Sequence, residues 1–277
     1  FLNISFGSVS IPFKDIFAIF LGDESIREEW ATIILNFRLP KAITAILVGS
    51  GLSIRALLMH TLFRNPLAGP FVLGISSGAS LGVALLILGS SFFGGFLFLQ
   101  PTNWSIAIAS SLGSFLVLSA VILAANKVRN TMSILIIGLM FGSFTAAIIS
   151  VLSYFSVAEQ IQQYVFWSFG SLGNLSWDEL TIFIIIYLIG FAGVFAIIKP
   201  LNSFLLGEKY AKSLGINIKQ SRIIILVITS LLTGVITAFS GPIAFIGLAV
   251  PHIAKLIFTT SNHKILIPHS EITRAIV

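Results

Sequence analysis

The chain has 277 residues, 56% of them hydrophobic and 9% charged, with a mean hydropathy of +1.03. A soluble domain carries roughly 25% charged residues, so the composition excludes a water-covered globule and reads as an integral membrane protein. The formal charge of +6 does not describe a nucleic-acid surface, because the basic residues stand singly or in pairs at the ends of apolar runs, as membrane helices are flanked.

Residues 1–37 read as a polar segment, acidic at Asp23, Glu24, Glu28 and Glu29. The chain opens on Phe1 with no signal-peptide pattern, so a preceding N-terminal portion is expected. A spanning helix needs about 20 mostly apolar residues. Such runs occupy 42–62, 72–98, 105–125, 131–155, 179–198 and 223–240, with 242–258 a shorter run closed by Lys255. Residues 199–222 form a second soluble stretch, carrying Lys199, Lys209, Lys212, Lys219 and Arg222. The whole chain, 1–277, reads as one all-α transmembrane domain.

Alternating the spans puts 199–222 on the same side as the turn at 64–70, Lys127-Val128-Arg129, Lys255 and Lys264. The other side receives 1–41 and the segment around Glu159 to Glu179, with Lys14, Arg27, Arg38 and Lys41 as its basic residues. The positive-inside rule makes the first side cytoplasmic, which leaves 1–41 outside.

Glycine spacing reads as packing. Gly74, Gly78 and Gly82 recur every four residues, and Gly138 and Gly142 repeat the interval; small residues so spaced let helix backbones approach in lipid. Ser240-Gly241-Pro242 interrupts an apolar run, as a plain turn or as a corner of a pathway.

Gly74-Ile75-Ser76-Ser77-Gly78 matches the G-x-S-x-G of serine hydrolases, but here it opens an apolar helix instead of a strand-to-helix elbow. His60, His252, His263 and His269 lack metal-ligand spacing on one helix face. Cysteine is absent, excluding disulfides and thiolate metal sites. No G-x-x-x-x-G-K-[ST] loop occurs, so any use of ATP must come from a partner. Arg38-Leu39-Pro40-Lys41 at the outer mouth of the first span is either an interfacial anchor or a dock for acidic side chains of a soluble protein. In residues 201–215, two short amphipathic turns separated by glycine project on the basic side; Ala211, Leu214 and Ile218 could enter a groove on a partner.

Five segments, in order, carry a resemblance: RLPKA (38–42), RNPLAGP with LGISSGAS (64–70, 73–80), FWSFGSL (166–172), LNSFLLGEKYAKSLG (201–215) and GPIAFIGLAVPHIAKL (241–256). The chain resembles the permease subunits of bacterial ABC importers for iron–siderophores, haem and cobalamin, the FecCD/BtuC-like permeases. The resemblance implies a homodimer in the bacterial cytoplasmic membrane, served by two cytoplasmic ATPase subunits and a periplasmic or lipid-anchored binding protein. It implies an iron-chelate cargo, with haem or cobalamin as the alternatives, no cofactor and no catalysis by this chain. It places ATPase coupling at Glu208, Ala211, Leu214 and Gly215, binding-protein docking at Arg38 and Lys41, and a cytoplasmic gate near Asn65, Leu67 and Thr131. It also implies that three of the family's usual ten helices, the first and the last two, lie outside this sequence. Arg55-Ala56, His60, Glu271 and Arg274 depart from the family pattern. Arg55 either lines a wet pathway or marks a drifted copy. A secondary transporter is the rival reading; it would need ionisable residues within spans, where Arg55 and His60 stand.

Overall fold

The structure is a computed structural model that describes residues 7, 9–22, 26–65, 74–89, 102–127, 131–243, 249 and 263. Five helices in it are long and apolar enough to cross a membrane, among the described residues. The first is unexpectedly long. It runs from Glu28 to Phe63, as α2 (Glu28–Thr32), a π-helical turn (Ile33–Arg38) and α3 (Leu39–Phe63). Pro40 explains the π turn. It has no N–H for the carbonyl of Asn36, and its ring pushes that carbonyl aside, so the backbone widens just before it. The indole N–H of Trp177 then donates to the carbonyl of Leu35 at 3.1 Å.

The expectation of a plain polar segment over 1–37 is therefore corrected. A short helix, α1 (Phe13–Phe20), precedes α2, and Ile11, Ile16 and Ile19 pack on Ile34 as a small separate core. The apolar residues of α1 sit at helical spacing, although charges punctuate them.

From Ser50 to Phe63 every residue of α3 is buried. A helix buried on every side belongs inside a bundle, and α3, predominantly apolar there apart from Arg55, His60 and small hydroxyl residues, is contacted by α6 (Thr131–Tyr154), α8 (Trp177–Ala196), α9 (Ile198–Leu206) and α11 (Ile218–Ser240). On the flank, α4 (Ile75–Ile87) lies between α5 (Asn103–Lys127) and α6. Of the expected span 72–98, the described residues hold α4, whose 13 residues rise about 20 Å against an apolar core of roughly 30 Å. Residues 90–101 lie outside the described residues, as does nearly all of the expected run 242–258.

Lipid tails are as apolar as leucine, so burial alone does not hold such helices together; close contact and hydrogen bonds do. The glycine reading is met by the geometry. A Cβ on Gly82 would come within 2.0 Å of the Ala109 carbonyl oxygen, and one on Gly78 within 2.6 Å of the Gly113 oxygen, so α4 and α5 touch backbone to backbone. Across the centre, the hydroxyls of Ser50 and Tyr187 are 2.6 Å apart. Many other hydroxyls bond back to the carbonyl four residues earlier, such as Thr233 to Thr229 at 2.7 Å, which keeps them satisfied without water.

At the end of the bundle away from Arg64, α7 (Ala158–Ser168) connects α6 to α8. Burial pushes the Tyr164 phenol above its ordinary pKa, a bond with Ser80 pulling the other way. A reciprocal capping box between Ser176 and Glu179 opens α8, which accounts for a carboxylate exposed by only 4%.

Candidate functional site

At one end of the bundle, two short helices form a projecting hairpin. Gly207 ends α9 at φ 117°, where a side chain would be strained, and α10 (Glu208–Ser213) starts at once. Gly215 stops α10 at φ 79°. The N–H of Gly215 donates to Lys212 O at 3.0 Å and that of Ile216 to Ala211 O at 3.1 Å, the two bonds of a Schellman turn. The side chain of Asn217 then caps α11 by accepting from the Gln220 N–H at 3.1 Å. Glu208 is braced to Arg222 of α11 by an ion pair at 2.9 Å.

These constraints decide which side chains face outward. Leu206, Tyr210 and Leu214 are 65%, 51% and 56% exposed, with Lys209 and Lys212 exposed beside them. Ala211 is fully buried; Ile218 is half-buried. Of the expected contact residues, Leu214 and Gly215 therefore stand at the surface, Ala211 packs inward, and Glu208 is joined within the chain. Leu206 and Tyr210 escaped the sequence reading, because the break at Gly207 resets the helical phase between them.

The hairpin is fastened to the end of α3. Arg64, in the left-handed conformation at φ 49°, donates from Nε and Nη2 to the Phe204 carbonyl at 3.2 and 2.8 Å. The Asn202 side-chain oxygen accepts from the backbone N–H of His263 at 3.0 Å and lies 2.7 Å from its Nδ1. An amide oxygen can only accept, so Nδ1 carries the hydrogen. The other ring nitrogen lies 2.8 Å from the Thr61 hydroxyl.

Of the expected gate residues, Asn65 is half-buried beside Arg64. Thr131 opens α6, and Leu67 lies outside the described residues. At the opposite end, Arg38 and Lys41 part company. Arg38 is 8% exposed and donates to the Val9 carbonyl, whereas Lys41 is exposed over the loop at Gly173. A cavity of about 200 Å³ opens nearby, lined by Asn103, Trp167, Ser171, Glu179, Ser240 and Gly241. There the N–H of Ser171 donates to the Ser240 carbonyl at 3.0 Å, so Ser240-Gly241 serves as a docked turn. Arg55 is 5% exposed inside the bundle, with Nη2 3.5 Å from the Ile243 carbonyl; it does not snorkel toward the near surface.

The profile of the FecCD transport family matches residues 1–277. The chain belongs to the FecCD transport family. A hemin transport system permease protein of Yersinia pestis is 33% identical over 96% of this chain and 77% of its own length. A vitamin B12 import system permease protein of Klebsiella pneumoniae is 32% identical over 85% of this chain and 68% of its own length. Among solved structures, a metal-chelate type ABC transporter in an inward-facing conformation matches with a TM-score of 0.84 and 27% identity, over 99% of this chain and 82% of that one. The FecCD chain described here is thus an all-helical, multi-pass ABC importer permease and not an enzyme. Its Ser76 sits buried in a helix, which removes the hydrolase reading.

Proposed function

We propose that this FecCD permease moves an iron-chelate complex inward across the bacterial cytoplasmic membrane. It works as a homodimer, with two ATPase subunits gripping the hairpins and a substrate-binding protein docking at the opposite end. The observation that carries this reading is the hairpin crest: Leu206, Tyr210 and Leu214 stand exposed between lysines on a rigidly braced pair of helices. An apolar crest with a basic rim is what a partner's groove recognises, and its lysines favour a cytoplasmic hairpin by the positive-inside rule. Leu214 and Gly215 make the contact, while Ala211 and Glu208 hold its shape. Asn65 and Thr131 belong to the gate at the same end, and Leu67, outside the described residues, is assigned to it by the sequence motif alone. Lys41 offers the binding protein a cation, with Arg38 as its internal support.

The choice of cargo is supported by what α6 presents. Ile136, Leu139, Met140 and Phe144 are exposed along it, a face without fixed charge. A bulky chelate held by many weak contacts suits it better than a bare ion, which needs carboxylates or carbonyl rings. The test is uptake into proteoliposomes holding the full-length permease, its ATPase and its binding protein, offered a ferric siderophore, haem or cobalamin. ATP-dependent accumulation of the ferric siderophore is expected. Accumulation of haem or cobalamin alone would replace the cargo, and uptake indifferent to ATP would overturn the mechanism.

A further inference from the structure

We propose that Arg64 is a positioning residue for transport: it locks the hairpin to the end of α3, so that α3 follows whatever moves the hairpin. The bridge from Thr61 through His263 to Asn202 is the second tie of the same lock. This inference rests on the reading that an ATPase grips the hairpin.

The argument starts from the packing between the two elements. Leu201 and Phe204 of α9 share one apolar core with Leu58, Leu62 and Phe63 of α3. Apolar contact resists separation, but packed helices slide past one another readily. Directional bonds forbid sliding, and two sets cross this junction. Thr61 and Arg64 lie about one turn apart on α3, and their partners, Asn202 and Phe204, lie two residues apart on α9. Two ties at separate points fix rotation as well as translation.

Arg64 is there for its side chain. Its left-handed backbone suits glycine or asparagine, so the conformation serves to aim the guanidinium. The target is a carbonyl in the last turn of α9, where the helix dipole is negative; Phe204 O accepts one bond from the Gly207 N–H at 3.2 Å and has a second lone pair for the guanidinium. Gly207 completes the fit. A Cβ there would lie 3.0 Å from Arg64 Nη2, so glycine leaves room for the cation as well as permitting the turn. Because Arg64 is exposed, its bonds add little to stability. Its loss should therefore be read in coupling and not in folding.

The experiment measures substrate carried per ATP hydrolysed, in proteoliposomes of the full-length permease with ATPase and binding protein. Arg64→Asn keeps the left-handed turn and removes the guanidinium; Asn202→Ala removes the second tie. In the double variant the ATPase should still co-purify, and hydrolysis should stay within about twofold. Substrate per ATP should fall about tenfold, inside the 5–150-fold range of coupling between sites. The melting midpoint of Arg64→Asn alone should move little, whereas Asn202→Ala leaves the buried His263 without two of its partners and should lower the midpoint by itself; Arg64→Lys should recover part of the coupling. Unchanged substrate per ATP in the double variant overturns the lock. So does a parallel loss of transport, hydrolysis and thermal stability, which marks a merely structural role. Should the double variant fail to assemble, Arg64→Lys against Arg64→Asn decides alone, equal coupling overturning the lock. Failure of the wild-type permease to retain an ATPase overturns the underlying reading and the lock with it.

Discussion

Replacing Gly82 by alanine tests the close approach of α4 and α5 with a single methyl group. Its Cβ would stand 2.0 Å from the Ala109 carbonyl oxygen and 2.8 Å from the carbonyl carbon. Both are backbone atoms, so no side chain can swing aside, and the helices must part by about 1 Å. Overpacking of this kind costs about 1–3 kcal/mol. Alanine recovers about 0.5–1 kcal/mol through its better helix propensity, leaving a net loss centred on about 1 kcal/mol and reaching about 2.5 kcal/mol. The parting also loosens the neighbouring crossing, where a Cβ on Gly113 would lie 2.1 Å from the Gly78 oxygen. Gly234→Ala is the control: its Cβ would meet Ser114 at 3.6 Å, an ordinary contact, so it should be neutral or slightly stabilising. Thermal melting in one detergent at one scan rate compares them, and a loss of 1 kcal/mol lowers the midpoint by about 2–4 °C at this size. If Gly82→Ala melts with the wild type, or shifts as Gly234→Ala does, the backbone contact between α4 and α5 is not as described.

Three further outcomes are expected. Leu214→Asp puts a charge on the hairpin crest and should weaken ATPase retention by about 2 kcal/mol, the scale of an interface hot spot, as read by co-purification and uptake; normal uptake would remove Leu214 from the contact. At the opposite end, Arg38→Ala should lower the melting midpoint, since it removes a buried side chain and its charge-assisted bond to the Val9 carbonyl, worth about 1.5–3 kcal/mol. Lys41→Glu should leave that midpoint in place and reduce binding-protein capture at low salt by about 1 kcal/mol, the scale of an exposed ion pair. Undiminished capture with Lys41→Glu would reject the docking role.

The spans over α3, α5, α6, α8 and α11 were legible to within a few residues, because each is a local run of apolar side chains longer than the bilayer requires. Three features were hidden. α4 ends in a turn at Leu88 inside the apolar run, and hydropathy does not say where a helix stops. The helical turns before Pro40 were obscured by charges, although the apolar spacing of Phe13, Ile16, Phe17 and Phe20 was visible. The hairpin crest was read one phase out: Ala211 was expected outside and Tyr210 was not, because a glycine at positive φ breaks the helical count between α9 and α10.

Membrane residence, the side on which the lysines gather, the glycine seams and the family were all readable from residues near one another in the chain. Such properties are sums over short windows, and lipid rewards each window on its own. Three matters needed the folded chain: that α3 is the enclosed helix, that Arg38 turns inward while Lys41 faces out, and that Arg64 grasps a carbonyl 140 positions away. These depend on which distant surfaces meet, and the same local pattern is compatible with many such meetings until packing selects one.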